Sequence, residues 1–306
     1  MFHNILVPLD GSPFAERALP LATRLARSAQ AKLHLALAHR PVPALVGVGE
    51  MMALPGDLNQ ELKAQEAGYL SETAELILRD GVGSVEYHEA EGLAGPELSD
   101  EALRVHADLI VMATHGRGGM MRFWLGSVAD YLVRHLTTPV LLVHPGRDEE
   151  RLDNPAIHGI LVALDLSPDS EAILEPVTAL ALVTQAHVTL VHAVGGYDRP
   201  EVAALPFPLP REPGLLLEDQ VEAQRRLDQL AARLRDRGLS VSARLVTGTG
   251  AAASLLETLQ EYHYDLLALT THGAGGVRRL LLGSVADKVI RRATKPVLVM
   301  RPPAAF

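Results

Sequence analysis

Thr114-His115-Gly116, nine residues from Arg117 to Leu125, then Gly126-Ser127-Val128-Ala129-Asp130: near the end of the chain the same wording returns as Thr271-His272-Gly273, nine residues from Ala274 to Leu282, then Gly283-Ser284-Val285-Ala286-Asp287. Laid over one another, residues 114–145 and 271–302 are identical at 18 of 32 positions. The likeness extends upstream, where Ile5-Leu6-Val7-Pro8-Leu9-Asp10-Gly11-Ser12 matches Ile160-Leu161-Val162-Ala163-Leu164-Asp165-Leu166-Ser167. A repeat of that length is a whole domain rather than a solenoid unit. The boundaries expected are 1–146 for the first domain, 147–157 for a charged, proline-containing linker, and 158–306 for the second. A chain of 306 residues holds two domains of this size.

Each half alternates short apolar runs with longer amphipathic segments, the pattern of a parallel sheet with helices on both faces. In the first half, strands are predicted near 5–9, 33–38, 85–90, 109–113 and 139–143. Helices are predicted after Ser12-Pro13 and near 57–79, 96–105 and 127–136. The second half repeats the order, with strands near 159–164, 187–194, 240–246, 265–270 and 296–300. Its helices are predicted near 168–184, 215–237, 251–262 and 284–292. The expected fold class is α/β, two tandem doubly wound domains.

Composition narrows the function. Hydrophobic residues at 48% and charged residues at 21% fit packed cores. A net charge of −9 without a basic run argues against nucleic acid as the main partner. Zero cysteines exclude disulfides and thiol chemistry. No run of 18 apolar residues occurs and the N-terminus does not read as a signal peptide, so a soluble, cytoplasmic protein without a membrane partner is expected.

Ligands of doubly wound sheets bind at the carboxyl ends of the strands, around the first one. Asp10 and Asp165 end first strands there, and the glycine loops leave fourth strands. Gly116, Gly118 and Gly119 let backbone lie close to a ligand, and Gly126 with Ser127 presents N–H groups at a helix start, which attracts phosphate. Serine followed three residues later by aspartate equally fits a capping-box variant. Asp10 and Asp165 either orient a ribose hydroxyl or magnesium, or simply close their own turns. His115 and His272 either touch phosphate or hydrogen-bond their loop. His39 and His192 read as buried, satisfied imidazoles. Protein side chains alone show no metal-ligand spacing, and no triad, nucleophile elbow or kinase signature appears.

With these residues assembled, the chain resembles the universal stress protein family, over nearly all of both halves. Its most specific part resembles the family's ATP-binding pattern of glycine, two residues, glycine, nine residues, then glycine with Ser or Thr. Gly116, Gly126 and Ser127 match it in the first copy, and Gly273, Gly283 and Ser284 in the second. Ala113 and Thr270 stand where the pattern has its first glycine. The resemblance implies a five-stranded parallel sheet of order 3-2-1-4-5, adenine nucleotide α-hydrolase-like. It implies ATP or another adenine nucleotide as ligand, with Asp10 and Asp165 matching the acid placed beside the nucleotide, where magnesium carried with the nucleotide is one option. The implied first site comprises Pro8, Asp10, Arg40, Ala113, His115, Gly116, Arg117, Gly119, Gly126, Ser127 and Val128. The implied second site comprises Ala163, Asp165, Ala193, Thr270, His272, Gly273, Gly276, Gly283, Ser284 and Val285. Arg40 is bulkier than the small apolar residue usual at the adenine end, whereas Ala193 fits, so unequal sites are expected. The last strands, Val140–Val143 and Val297–Met300, are implied to pair in an intrachain pseudo-dimer or a homodimer.

The function expected is a nucleotide-responsive stress regulator that signals to a protein partner, with little turnover. The alternatives are a slow magnesium-dependent ATPase and an interaction scaffold with vestigial loops.

Overall fold

The computed structural model describes residues 1–41, 55–114, 125–144, 156–194, 213–248, 250–272 and 282–303, without the side chains of 55–57 and 213–217. Two compact units emerge, one within residues 2–155 and one from Ala156 onward. Among the described residues, no helix is long and apolar enough to cross a membrane.

The first unit holds β1 (Asn4–Leu9), β2 (Lys32–His39), β3 (Val85–Glu91), β4 (Leu109–Ala113) and β5 (Val140–Val143). All pairings are parallel, in the order β3-β2-β1-β4-β5. The second unit holds β6 (Gly159–Ala163), β7 (His187–Val194), β8 (Val241–Thr247), β9 (Leu266–Thr270) and β10 (Val297–Met300). Its order, β8-β7-β6-β9-β10, is the same topology. Strands covered on both faces read as unbroken apolar runs, and Ile5, Leu6 and Val7 in β1 are wholly buried, as are Ile160, Leu161 and Val162 in β6. The outer strand β3, Val-Glu-Tyr-His-Glu-Ala-Glu, is instead polar and partly exposed, a composition that keeps an edge from adding further strands.

The helices of the first unit are a 3-10 turn (Ala15–Ala18), α1 (Leu19–Ala29), α2 (Pro55–Arg79), α3 (Ala94–Arg104) and α4 (Ser127–His135). Those of the second are α5 (Pro168–Glu171), α6 (Leu174–Thr184), α7 (Pro213–Asp236), α8 (Ala251–Glu261) and α9 (Ser284–Arg292). The single helix expected after each first strand is broken. After β1, Ser12 Oγ accepts from the Ala15 N–H (3.2 Å), but a 3-10 turn follows before α1 begins. After β6, Ser167 caps α5 through the Ser170 N–H with Pro168 at its first position, and the chain re-forms as α6. Proline is tolerated there because the first helical N–H has no intrahelical acceptor. Both α1 and α6 stop at a left-handed glutamine, Gln30 (φ 53°) and Gln185 (φ 57°).

Each unit ties the base of its first strand in the same way. Asp108 accepts from the His3 and Asn4 N–H groups (2.6 and 3.3 Å), and Asp265 from those of His158 and Gly159 (2.7 and 3.0 Å). At the other end the sheets part. β1 pairs with β4 only at Ile5 and Leu6, but stays with β2 through Leu9. Pro8, which has no N–H to donate, lies beyond the β4 pairing. β6 likewise leaves β9 after Val162. The opening created is where such sheets take ligands.

Two substitutions on α2 separate backbone from packing effects. Gly68 is exposed in the helix interior with open space where a Cβ would stand; Gly68→Ala should raise stability by about 0.5–1 kcal/mol. Leu70 is wholly buried; Leu70→Ala should lower it by roughly 2–5 kcal/mol. Urea denaturation of the two variants beside the parent checks both signs.

Candidate functional site

The glycine loop's landing point is held by one backbone bond in each unit. The Gly126 N–H donates to the Thr114 carbonyl (2.7 Å), and the Gly283 N–H to the Thr271 carbonyl (2.8 Å). Thr114 and Thr271 are themselves fixed to the last strands, their N–H groups reaching Val143 and Met300 carbonyls. A Cβ on Gly283 would stand 2.8 Å from the Thr271 oxygen. Glycine is required there for close approach, since its φ of −60° is open to any residue.

Gly126 and Gly283 are the N-cap residues of α4 and α9, and neither helix start has a side-chain cap. Ser127 and Ser284 are therefore the first helical residues, not the caps, which corrects the capping-box reading. Asp130 and Asp287 turn instead to Arg134 and Arg291 one turn on, each at 2.8 Å. Both serines are exposed, with Val128 and Val285 half-buried beside them. An uncapped helix start leaves N–H donors and the positive end of the helix dipole facing outward.

In the first unit a second uncapped start joins this one. The turn after β3 bends at Gly92 (φ 148°) into α3, whose N-cap Leu93 provides no side-chain acceptor. A cavity of about 300 Å³ is lined by Ala38, Arg40, Gly92, Leu93, Ala94, Gly95, Pro96, Ser127, Val128 and Tyr131. Of the residues expected in the first site, Arg40, Ser127 and Val128 thus share one concavity. Its 92–96 wall and Tyr131 were not legible as cavity lining; the glycines there read only as a turn into a helix. Gly95 makes the close packing possible, because a Cβ there would meet Tyr131 Cγ at 2.7 Å.

The first-strand aspartates close their own turns. Asp10 Oδ1 accepts from the Ser12 N–H (2.9 Å), and Asp165 Oδ1 from both the N–H and hydroxyl of Ser167. The residue between them is left-handed in both copies, Gly11 at φ 72° and Leu166 at φ 65°. Beside Asp10, burial pushes the Tyr69 phenol well above its usual range, and the neighbouring Glu16 and Asp10 carboxylates reinforce the shift. Tyr69 on α2 thus belongs to this end of the sheet, a placement its helical spacing did not reveal.

His39 is buried, and its Nδ1 lies 2.7 Å from Glu66 Oε2, while its Nε2 meets no hydrogen-bond partner. Only half of the expected satisfaction is present. His192 is half-buried, and its Nδ1 lies 2.8 Å from the Leu164 carbonyl. In the second loop, Thr270 Oγ1 donates to the His272 carbonyl (2.7 Å) and Thr271 Oγ1 pairs with His272 Nδ1 (2.9 Å). The threonine standing for the pattern's first glycine therefore braces the loop. Ala113 is buried at the end of β4 and Pro8 in β1, while Ala163 and Ala193 are half-buried at strand ends. His115, Gly116, Arg117, Gly119, Gly273 and Gly276, together with residues 147–155 of the expected linker, lie outside the described residues. The expectation that side chains alone assemble no metal set meets one exception among the described residues, His34, Glu86 and His88.

These features define the class: tandem doubly wound α/β domains, each a five-stranded parallel sheet opening at the carboxyl end of its first strand. The profile of the universal stress protein family matches residues 1–144 and again 157–301. A universal stress protein of Mycolicibacterium smegmatis is 30% identical over 312 residues, covering 98% of this chain and 97% of that one. One from Mycobacterium tuberculosis is 32% identical over 207 residues, 67% of this chain but only 64% of that protein's length. In fold, the chain is similar to a universal stress protein crystal structure from Archaeoglobus fulgidus, with a TM-score of 0.70 at 19% identity over 97% of this chain and 98% of that one. The chain belongs to the universal stress protein family.

Gly95→Val should force Tyr131 out of its place between α3 and α4 and lower stability by roughly 1–3 kcal/mol. Thermal unfolding of the variant checks this. An unchanged midpoint would mean that the cavity wall yields without cost.

Proposed function

We propose that the protein is an adenine-nucleotide-responsive regulator, with ATP as the ligand of each domain and little or no turnover. The carrying observation is the first unit's cavity, where two helix starts without side-chain caps meet beside an exposed Arg40. The uncapped α4 start and the Arg40 guanidinium favour a phosphorylated ligand over a neutral one, while Glu97 in the first turn of α3 offsets that helix's positive end. The volume, about 300 Å³, is at the small end of ligand pockets. The second domain repeats the landing bond and the uncapped α9, and has Ala193 where the first has Arg40. On this reading the two sites differ in affinity.

The proposed domains are 1–146 and 158–306, joined by 147–157, acting in the cytoplasm on a protein partner. Magnesium, if carried in with the nucleotide, meets aspartates each with one oxygen already engaged in a turn. That engagement favours binding over metal-assisted hydrolysis.

Calorimetric titration with ATP, ADP, AMP and cyclic AMP tests the reading. ATP should bind in two unequal steps. Ser127→Asp places a carboxylate against the α4 dipole where phosphate is proposed, and should weaken the first-domain step at least tenfold while leaving the other. Loss of neither step in that variant would remove phosphate from the α4 start. Multiple-turnover ADP release, abolished by Asp165→Ala, would replace the regulator with an ATPase.

A further inference from the structure

The proposed nucleotide pockets leave unexplained a polar cluster low on the first sheet, where β2 and β3 lie side by side. The parallel register sets His34 opposite Glu86, with His88 two residues farther along β3 on the same face. His34 Nδ1 lies 3.1 Å from His88 Nε2 and 3.6 Å from Glu86 Oε2, and the latter two atoms are 3.9 Å apart. A triangle with those sides has a circumscribed radius of about 2.1 Å, so one point stands at zinc-ligand distance from all three atoms. From this geometry we propose that His34, Glu86 and His88 form a binding site for a divalent transition ion of the zinc class.

The surroundings fit such a site. Lys32 engages Glu86 Oε1 (2.7 Å), leaving Oε2 as the atom facing the imidazoles. His34 Nε2 lies 3.3 Å from Asn4 Oδ1. Donation to that amide oxygen fixes the tautomer with a bare lone pair at Nδ1, as outer partners of metal-bound histidines do. Behind His88 stand Arg104, 2.8 Å from Nδ1, and the carboxylate of Glu101, 3.6 Å away. Without metal, Arg104 can only donate, so His88 carries its proton on Nε2, and that N–H donates to His34 Nδ1. A bound metal would require the other tautomer of His88, with its Nδ1–H toward Glu101, and would require Arg104, which also donates to Glu101 at 2.6 and 2.8 Å, to give up its contact with Nδ1.

The second domain shows that a polar cluster here does not need this ligand set. Its registers place Thr189, Ser242 and Arg244 where the first domain has His34, Glu86 and His88. There the Thr189 and Ser242 hydroxyls pair (3.0 Å), His187 Nε2 lies 2.9 Å from Ser242 Oγ, Tyr264 donates to Thr189, and Arg244 lies over the Tyr262 ring. Two hydroxyls and a guanidinium, with one neighbouring imidazole, occupy these places there; in the first domain two imidazoles and a carboxylate converge instead and add ligating capacity.

The test uses the full chain and Co2+ as a spectroscopic stand-in for Zn2+. One equivalent of Co2+ should give the visible bands of a four-coordinate nitrogen–oxygen site, and calorimetry with Zn2+ should show one tight event. His88→Gln and Glu86→Gln, both on the outer strand, should lose the bands and weaken Zn2+ at least tenfold, with circular dichroism confirming that they fold. His187→Gln, in the second domain, should behave as the parent. Absence of the bands in the folded parent, or unaltered Zn2+ affinity in His88→Gln, would overturn the proposal.

Discussion

A single backbone hydrogen bond, from the Gly126 N–H to the Thr114 carbonyl, sets the geometry at the carboxyl end of the first domain's sheet. It closes a loop whose length is the same in both halves and delivers the start of α4 to the end of β4. The second domain repeats the bond between Gly283 and Thr271, at a distance that no Cβ would permit. Because the N-cap is glycine, no side chain folds back over the first turn, and its donors stay exposed. The same contact that ends a loop thus leaves an electropositive helix start. Capping by serine would have stabilised α4 by about 1 kcal/mol and covered those donors.

The opening to which the helix is delivered follows from the pairing of β1. A strand in the middle of a parallel sheet is normally bonded along both sides, but β1 leaves β4 after Leu6 and keeps β2 to Leu9. Proline at position 8 is compatible with that parting and would be out of place in a fully paired stretch. In the second domain Ala163 occupies the matching position and the strands part all the same. Topology rather than proline therefore creates the crevice, with successive helices departing to opposite faces.

Much of this was readable from apolar periodicity. The strands β4 and β7 and the helix α9 fall on the residues that the pattern marks, because buried parallel strands and amphipathic helices carry their own signal. The breaks after β1 and β6 were not readable, since Ser-Pro marks only where a helix can begin. Nor was the role of Ser127 and Ser284: a serine beside a glycine fits a cap as well as a first helical residue, and only the backbone angles separate them. The cavity's second wall was hidden for a different reason. Leu93 to Pro96 lie on a separate crossover, and nothing in their local sequence announces that α3 will start beside α4.

The cluster of His34, Glu86 and His88 is the extreme of that second kind. Its members come from two strands joined by a long helix, and the sole local hint is the i, i+2 spacing of Glu86 and His88 in a strand. The divergence of the copies says more than either sequence alone. Both domains keep the fold-defining features, namely the aspartate at the strand base, the turn-closing aspartate and the landing bond of the glycine loop. They differ at Arg40 against Ala193 and at His34, Glu86 and His88 against Thr189, Ser242 and Arg244, positions where the backbone is indifferent to the choice. Duplication leaves one copy free to keep a property while the other changes, and the differences fall at both ends of the sheet. At the carboxyl end they place a guanidinium beside the first unit's cavity where the second has a methyl group; at the amino end they give one copy a set of ligating atoms in place of the other's hydroxyls and guanidinium.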